Sequence, residues 1–387
     1  MKKIKLLNKI APMGINVFLE RGYEVSGEVT DPDAIMVRSA NLHEMEYNES
    51  LLAIARAGAG VNNIPIDECS RRGIAVFNTP GSNANAVKEL ALCALMLASR
   101  DIVGGIEWVR SLAGTQDVAR SVEAGKSSFA GREILGKTLG VVGLGAIGGL
   151  VANSARSLGM KVTGYDPYLT VQAAWSLSSD VHRAENYDEV YKNADYLTLH
   201  VPSNAKTRSM INRDAIDKMK DGVRIINLAR ADLVNTEDMK VALESGKVAA
   251  YITDFPTEDT IGLKNTVNIP HLGASTAESE DTSAIMAAEE LSEYLECGNI
   301  RNSVNFPSVS IPHFGAKRVC LMHMNVANML SQITKIISKE GINIENLSNG
   351  SRGDYAYTIV EIGVDVPSHI IPELQAIEGM IRVRVIS

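Results

Sequence analysis

The chain lacks any run of about 20 apolar residues, so no segment reads as a membrane span. Its opening, Met1 to Lys9, is basic but has no apolar stretch long enough for a signal peptide. The expected compartment is the cytoplasm. Cysteine is scarce: Cys69, Cys93, Cys297 and Cys320 stand far apart with no CxxC pair, which argues against a metal site and against a disulfide framework. Positive charge is not in excess either. With 38 Lys and Arg against 46 Asp and Glu, the formal charge is −8, and neither nucleic acid nor an anionic membrane is an expected partner. A local basic patch for an anionic small molecule stays open. Low-complexity tracts and fixed-period repeats are also missing. What is present is an ordinary globular mixture over 387 residues, enough for two or three domains of roughly 100–200 residues each.

Short apolar runs alternate with helical patterns, which predicts parallel α/β sheets. Ile35-Met36-Val37 and Ala75-Val76-Phe77 read as buried strands, with a helix over Pro65 to Arg72. A long apolar helix over Asn85 to Ser99 reads as a crossing between domains. A doubly wound sheet follows, with strands at Thr138 to Val142, Lys161 to Tyr165, Tyr196 to His200, Arg224 to Leu228, Val248 to Thr253 and Val267 to Ile269. Ala277 to Leu295 reads as a helix, and the polar, Pro-containing stretch from Asn299 to Pro312 as a linker. The last 70 or so residues carry a compact βαββαβ pattern.

The run Gly143-Leu144-Gly145-Ala146-Ile147-Gly148 places GxGxxG directly after a strand and at the mouth of a helix, the context that makes this motif informative. Gly143 permits the tight turn, Gly145 lets the backbone approach a pyrophosphate, and Gly148 lets helix and strand pack closely. The helix N-terminus offers free N–H groups to the phosphates. About twenty residues on, a strand ends at Asp166, whose carboxylate can accept from both ribose hydroxyls and repels a 2′-phosphate. That favours NAD over NADP.

Hydride transfer at a 2-hydroxy acid needs a proton-transfer group, a partner that sets its protonation, and a cation for the carboxylate. Arg230, Glu258 and His271 each follow a strand of the doubly wound sheet, where such sheets bind ligands. An arginine can grip a carboxylate bidentately, and a glutamate near His271 would favour the imidazolium. On spacing alone, His271 reads equally well as a structural histidine and Arg230 as a surface arginine.

Further motifs fall in line with these residues: Arg56-Ala57-Gly58-Ala59-Gly60-Val61-Asn62-Asn63-Ile64, Phe77-Asn78-Thr79-Pro80, Asn227-Leu228-Ala229-Arg230, Phe255-Pro256-Thr257-Glu258 and Pro270-His271-Leu272-Gly273-Ala274-Ser275-Thr276. In this order they span nearly the whole chain, which resembles the D-2-hydroxyacid dehydrogenases. The C-terminal segment resembles an ACT regulatory domain. The resemblance implies two Rossmann-like doubly wound domains and a ferredoxin-like βαββαβ ACT domain. Residues 1–89 and 276–305 would bind substrate, 90–275 NAD, 306–316 would be the linker, and 317–387 the ACT domain.

It also implies roles. His271 would be the acid/base, Glu258 its partner and Arg230 the substrate-orienting cation. Ala146 and Ile147 would contact the pyrophosphate and Asp166 the ribose. Val201, Leu228 and Ala229 would line the nicotinamide, and Asp254 would bind its carboxamide. Arg230, His271, Gly273 and Ala274 also lie on the expected cofactor side. Arg38, with Ser39 beside it, would take a substrate phosphate, and the backbone of Gly58, Ala59 and Gly60 a carboxylate. The expected substrate is D-3-phosphoglycerate, at the entry to serine synthesis. Glyoxylate, hydroxypyruvate or D-lactate are the alternatives within the family, and an NAD-sensing binding protein the alternative outside it. His323, Asn325 and Asn343 match serine-binding positions, although the turn that usually carries Pro-Gly reads Asn325-Val326-Ala327-Asn328 here. Three departures from the usual pattern stand in the dehydrogenase part: Ala231, Asp259 and Lys88. A homodimer or homotetramer is the expected assembly.

Overall fold

The computed structural model describes residues 1–313 and 317–386. The chain divides into two compact units, residues 1–82 with 277–387 and residues 83–276. Residues 314–316, at the end of the expected linker, and the C-terminal residue 387 of the expected ACT domain lie outside the described residues.

The first unit holds a five-stranded parallel sheet. Its strands are β1 (Lys3–Leu7), β2 (Glu24–Ser26), β3 (Ala34–Val37), β4 (Ala53–Arg56) and β5 (Ala75–Asn78), in the order β2-β1-β3-β4-β5. Every residue of β3 is buried, as expected for a parallel strand covered on both faces. Helices Pro12–Glu20 and Ala277–Cys297 cross so closely that a Cβ on Gly14 would lie 2.6 Å from Ala284 backbone, and only glycine fits there.

The second unit holds seven parallel strands: β6 (Thr138–Val142), β7 (Lys161–Tyr165), β8 (Val181–Arg183), β9 (Tyr196–Leu199), β10 (Val223–Asn227), β11 (Val248–Thr253) and β12 (Thr266–Asn268). Their order is β12-β11-β10-β9-β6-β7-β8, so the chain reverses direction across the sheet between β6 and β9. Helix Ala84–Ser99 buries Ala91, Ala94, Leu95 and Ala98 against this sheet, which is why the second unit begins at Asn83.

The C-terminal strands are β13 (Lys317–Met324), β14 (Ile344–Arg352), β15 (Tyr355–Ile362) and β16 (Met380–Ile386), antiparallel in the order β14-β15-β13-β16. With helices Met329–Lys339 and Ile370–Gln375 on one face, this is a ferredoxin-like βαββαβ sheet. Its other face is not open. Cys320, Met322, Tyr357 and Ile359 join one core with Phe77, Tyr294 and Phe306 of the first unit.

The stretch expected to be a loose linker is therefore built in. Phe306, Val309 and Ile311 are buried, Ile300 and Val309 exchange backbone hydrogen bonds, and Asn299 Oδ1 accepts from Ile311 N at 3.0 Å. The fully buried Arg318 guanidinium pairs with Glu361 at 2.7 Å and donates to the carbonyls of Cys297, Ile311 and Pro312. Removing one partner of such a pair costs about 3–5 kcal/mol, because the other charge is left buried.

Candidate active site

Strand register sets up the site in the second unit. Val142 pairs with Tyr165 and Leu199, Asn227 with Leu199 and Thr253, and Thr253 with Asn268. The residues that follow these strands therefore leave the sheet along one carboxyl edge, where the strand order reverses. Gly143, Val201, Leu228 to Arg230, Asp254 and His271 all lie on these segments. Ligands bind at such a switch point in open parallel sheets.

The three glycines of the turn differ in what holds them. Gly143 takes φ +89°, and a Cβ there would sit 2.6 Å from the His200 carbonyl oxygen and 2.8 Å from Val201 Cγ1. A Cβ on Gly148 would lie 1.9 Å from the Gly143 carbonyl oxygen, so helix and turn touch there. A Cβ on Gly145 would meet nothing within 4 Å. This glycine caps helix Ala146–Ser157 without any side-chain cap, so the first-turn N–H groups of the exposed Ala146 and half-buried Ile147 have no acceptor within the helix. Asp166 Oδ2 accepts from Leu144 N at 2.9 Å and Oδ1 from Tyr168 N at 2.8 Å. Both oxygens keep a lone pair for a ribose hydroxyl. Gly164 lies against Leu144 and fixes the turn from the neighbouring strand.

Arg230 is placed by Asn227, a fully buried polar residue at the end of β10. Asn227 Nδ2 donates to the Arg230 carbonyl at 2.8 Å, and Asn227 Oδ1 accepts from Ala229 N at 3.2 Å. The Arg230 guanidinium lies 5.9 Å from the Phe255 ring centre, and that ring lies 4.5 Å from the His271 imidazole. Arg230 and His271 thus both lie against the Phe255 ring. Beneath it Asp254 is 1% exposed, and its Oδ1 has no partner. Burial raises the Asp254 pKa, while the charges of His271 and Arg230 and the Gly273 N–H oppose that rise. An unpaired buried acceptor costs free energy until a donor arrives, and an amide N–H would satisfy it.

The expected pair of Glu258 and His271 is not formed. Both side chains are exposed, and among the described residues no hydrogen bond or ion pair joins them. The loop between them and β11 is closed on itself, Thr257 N donating to Thr260 Oγ1 at 2.9 Å and Thr260 N to the Thr257 carbonyl at 3.0 Å. Gly273 is buried and Ala274 exposed.

In the first unit, Arg38 forms an ion pair with Glu280 at 2.7 Å. The Ser39 N–H is spent on Asn8 Oδ1. Gly58 takes φ +148° and donates its N–H to Thr79 Oγ1 at 2.8 Å, so it is not available to a carboxylate. The amides of Ala59 and Gly60 make no hydrogen bond among the described residues. Arg56, which carried no role in the sequence reading, shapes this loop: its Nε donates to the Arg38 carbonyl at 2.9 Å and its guanidinium to the Gly60 carbonyl. Asn227, Phe255 and Arg56 were the residues missed. For Asn227 and Arg56 the available signal was a polar or charged residue closing an otherwise buried strand; Phe255, beyond the end of its strand, carried no such signal.

In the C-terminal sheet His323 is 2% exposed, with Nδ1 on the Met324 carbonyl and Nε2 on Thr358 Oγ1, each at 2.9 Å. Burial lowers its pKa. Asn325 donates to the Gly353 carbonyl, Asn328 takes φ +67°, and Asn343 is exposed.

Residues 94–273 match the model of the D-isomer specific 2-hydroxyacid dehydrogenase NAD binding domain. The chain is 30% identical over 380 residues to D-3-phosphoglycerate dehydrogenase of Haemophilus influenzae, covering 94% of this chain and 89% of that one. It belongs to the D-2-hydroxyacid dehydrogenase family. A D-3-phosphoglycerate dehydrogenase of Methanocaldococcus jannaschii is 33% identical over 349 residues; the match covers 88% of this chain but only 64% of that relative's length. Among solved structures, NAD+-bound 3-phosphoglycerate dehydrogenase of Entamoeba histolytica aligns with a TM-score of 0.61 at 25% identity, over 79% of this chain and 98% of that one. Among the described residues no cluster of His, Cys, Asp or Glu could hold a metal ion, and no helix is long and apolar enough to cross a membrane.

Proposed function

We propose that this chain oxidises D-3-phosphoglycerate to 3-phosphohydroxypyruvate with NAD, at the entry to serine synthesis. The observation that carries the reading is the packing of Arg230 and His271 against Phe255 on the same sheet edge as the glycine-rich turn and Asp166. NAD, when bound, supplies the hydride acceptor. Ala146 and Ile147 offer N–H groups to its pyrophosphate, Asp166 accepts from its ribose, and Asp254 Oδ1 accepts from its carboxamide. Val201, Leu228 and Ala229 line the nicotinamide.

His271 takes the proton of the substrate 2-hydroxyl. Arg230 holds the 2-carboxylate and polarises the C2–O bond as carbonyl character develops. Glu258 stabilises the imidazolium once its loop turns inward. Arg38 takes the substrate phosphate in exchange for Glu280, and the Ala59 and Gly60 amides hold the carboxylate. Exposed Ile106 and Val109 on helix Ile102–Ser111 support pairing of two chains through the second unit. For the C-terminal sheet, the inward His323 supports a packing role over serine sensing.

A substrate panel with NAD and NADP, with and without millimolar L-serine, tests the reading, alongside a light-scattering mass. NADH formation from D-3-phosphoglycerate, no response to serine and a dimeric mass are the expected outcomes. Arg38→Ala should raise KM for the phosphorylated acid by at least about tenfold, the loss of roughly one charge-assisted contact. Equal losses on phosphorylated and unphosphorylated acids would remove Arg38 from the phosphate site. Better turnover of glyoxylate, hydroxypyruvate or D-lactate would move the substrate assignment. No turnover at all would leave an NAD-binding protein.

A further inference from the structure

The short helical turn Ala231–Leu233 directly follows Arg230 and carries Asp232. One oxygen of Asp232, Oδ2, accepts from Ser203 Oγ at 2.5 Å and lies 3.4 Å from Arg208 Nε. Its backbone carbonyl accepts from Ser209 N at 2.7 Å. All three partners belong to the segment that leaves β9 through Val201. The contact continues beyond Asp232: Ile211 N donates to the Leu233 carbonyl at 3.0 Å, Ile211 bridges Val234 in parallel, and Asn235 N donates back to the Ile211 carbonyl at 2.9 Å. Two loops that leave the sheet edge from neighbouring strands are therefore zipped together, and the zip starts two residues from Arg230.

Ser209 shows that this zip is held under constraint. It takes φ +51°, a left-handed conformation that a serine adopts at a cost, and its N–H is the one donated to Asp232. Arg230 thus stands between two anchors. Asn227 fixes it from the buried side, and Asp232 fixes the turn from the solvent side. The Asp232 and Arg208 side chains are 42% and 71% exposed. An exposed ion pair contributes little to global stability, so the Asp232 side chain acts on local geometry.

We propose that Asp232 is a positioning residue for Arg230: it locks the turn 230–234 to the segment 203–211, so that the guanidinium stays over Phe255 beside His271. The proposal rests on the reading of Arg230 as the carboxylate-binding cation. Loosening the lock leaves the fold and the glycine-rich turn intact and lets the guanidinium drift. Misplacement of an orienting group by about 1 Å can cost up to about a hundredfold in rate.

The test compares Asp232→Ala, Asp232→Asn, Ser203→Ala and the Asp232→Ala/Ser203→Ala double variant in the full-length chain. Amide hydrogen exchange over 203–211 and 228–235 reads the lock itself. NADH affinity, the thermal midpoint, and kcat and KM for the 2-hydroxy acid read its consequence. In Asp232→Ala, exchange in both segments should rise and KM should rise about tenfold with a smaller change in kcat, at unchanged NADH affinity and thermal midpoint. Asp232→Asn keeps an acceptor for Ser203 and should recover most of the loss. The double variant should be no worse than Asp232→Ala. Unchanged exchange in Asp232→Ala, an Asn variant as poor as the Ala variant, or a loss of activity that merely follows a fallen thermal midpoint would each overturn the proposal. A wild-type chain that turns over no 2-hydroxy acid would sink the functional reading instead, while the exchange data would still decide whether Asp232 locks the two segments.

Discussion

Glu290 lies on the buried face of helix Ala277–Cys297. One carboxyl oxygen accepts from Asn302 Nδ2 at 2.7 Å, and the other has no partner. Burial pushes its pKa up to about 8, with Glu289 and Glu293 adding to the rise and Asn302 opposing it. An unfolded glutamate titrates near ~4.3. Across that window the folded chain holds a proton that the unfolded chain has released, so stability falls as pH rises. His200 acts in the opposite sense: burial lowers its pKa to about 4, so its contribution grows as pH rises toward ~6.5. The two slopes oppose each other up to there, and above it only that of Glu290 remains. Glu290→Gln keeps the bond to Asn302 and removes the titration. At pH 8 the variant should melt a few degrees above wild type, and at pH 5 close to it; equal pH profiles in thermal melts would sink the argument. None of this was legible in the sequence, where a glutamate in a helix rich in Ala and Glu reads as surface. The position of Arg230 and His271 just past strands of the second unit was legible, but their expected roles, and that of Asp254, came from the family motifs rather than from strand pattern.

At the scale of elements, the strands of the second unit were found to within one residue wherever a buried apolar run defined them, as in Lys161–Tyr165 and Val248–Thr253. Val181–Arg183 was missed because it is a short edge strand with two exposed residues. The helices Ile102–Ser111 and Val118–Gly125 were not assigned from the sequence, and neither buries a residue. The glycine-rich turn is the element whose sequence and geometry agree most closely, and its glycines can be separated by experiment. Alanine at Gly148 would drive its methyl into the Gly143 carbonyl, so the helix must move, and both the thermal midpoint and NADH affinity should fall. Alanine at Gly145 meets nothing in the chain itself. Gly145→Ala should therefore melt like wild type and yet weaken NADH binding by at least about tenfold, the cost of one obstructed phosphate contact. If it binds NADH normally, the open space beside Gly145 is not where the pyrophosphate approaches.

For the molecule as a whole, the instructive departure is the C-terminal sheet. Proline and polar residues made 299–312 look like a linker to the C-terminal segment. A ferredoxin-like sheet has helices on one face only, and its second apolar face must be covered by something. The sequence does carry that signal: Val319-Cys320-Leu321-Met322 is apolar at every position, where a half-covered strand would alternate. Here the cover is the rest of the first unit. Tyr357 donates to the Gly298 carbonyl at 2.6 Å, the Arg384 guanidinium lies 4.5 Å over the Tyr294 ring, and Arg382 donates to the Leu51 carbonyl at 2.6 Å. A chain ending at residue 312 would bare Tyr294, Phe306 and Val309 and leave these carbonyls without donors. Burying an aromatic or large aliphatic side chain contributes about 1.5–3 kcal/mol each, which is large against a domain stability of roughly 5–15 kcal/mol. The shortened chain should therefore bind a hydrophobic dye and lose the thermal transition of residues 1–82 and 277–312, while the nucleotide-binding unit still takes up NADH. A monodisperse truncated chain with the wild-type transition would mean that the C-terminal sheet is a detachable module after all.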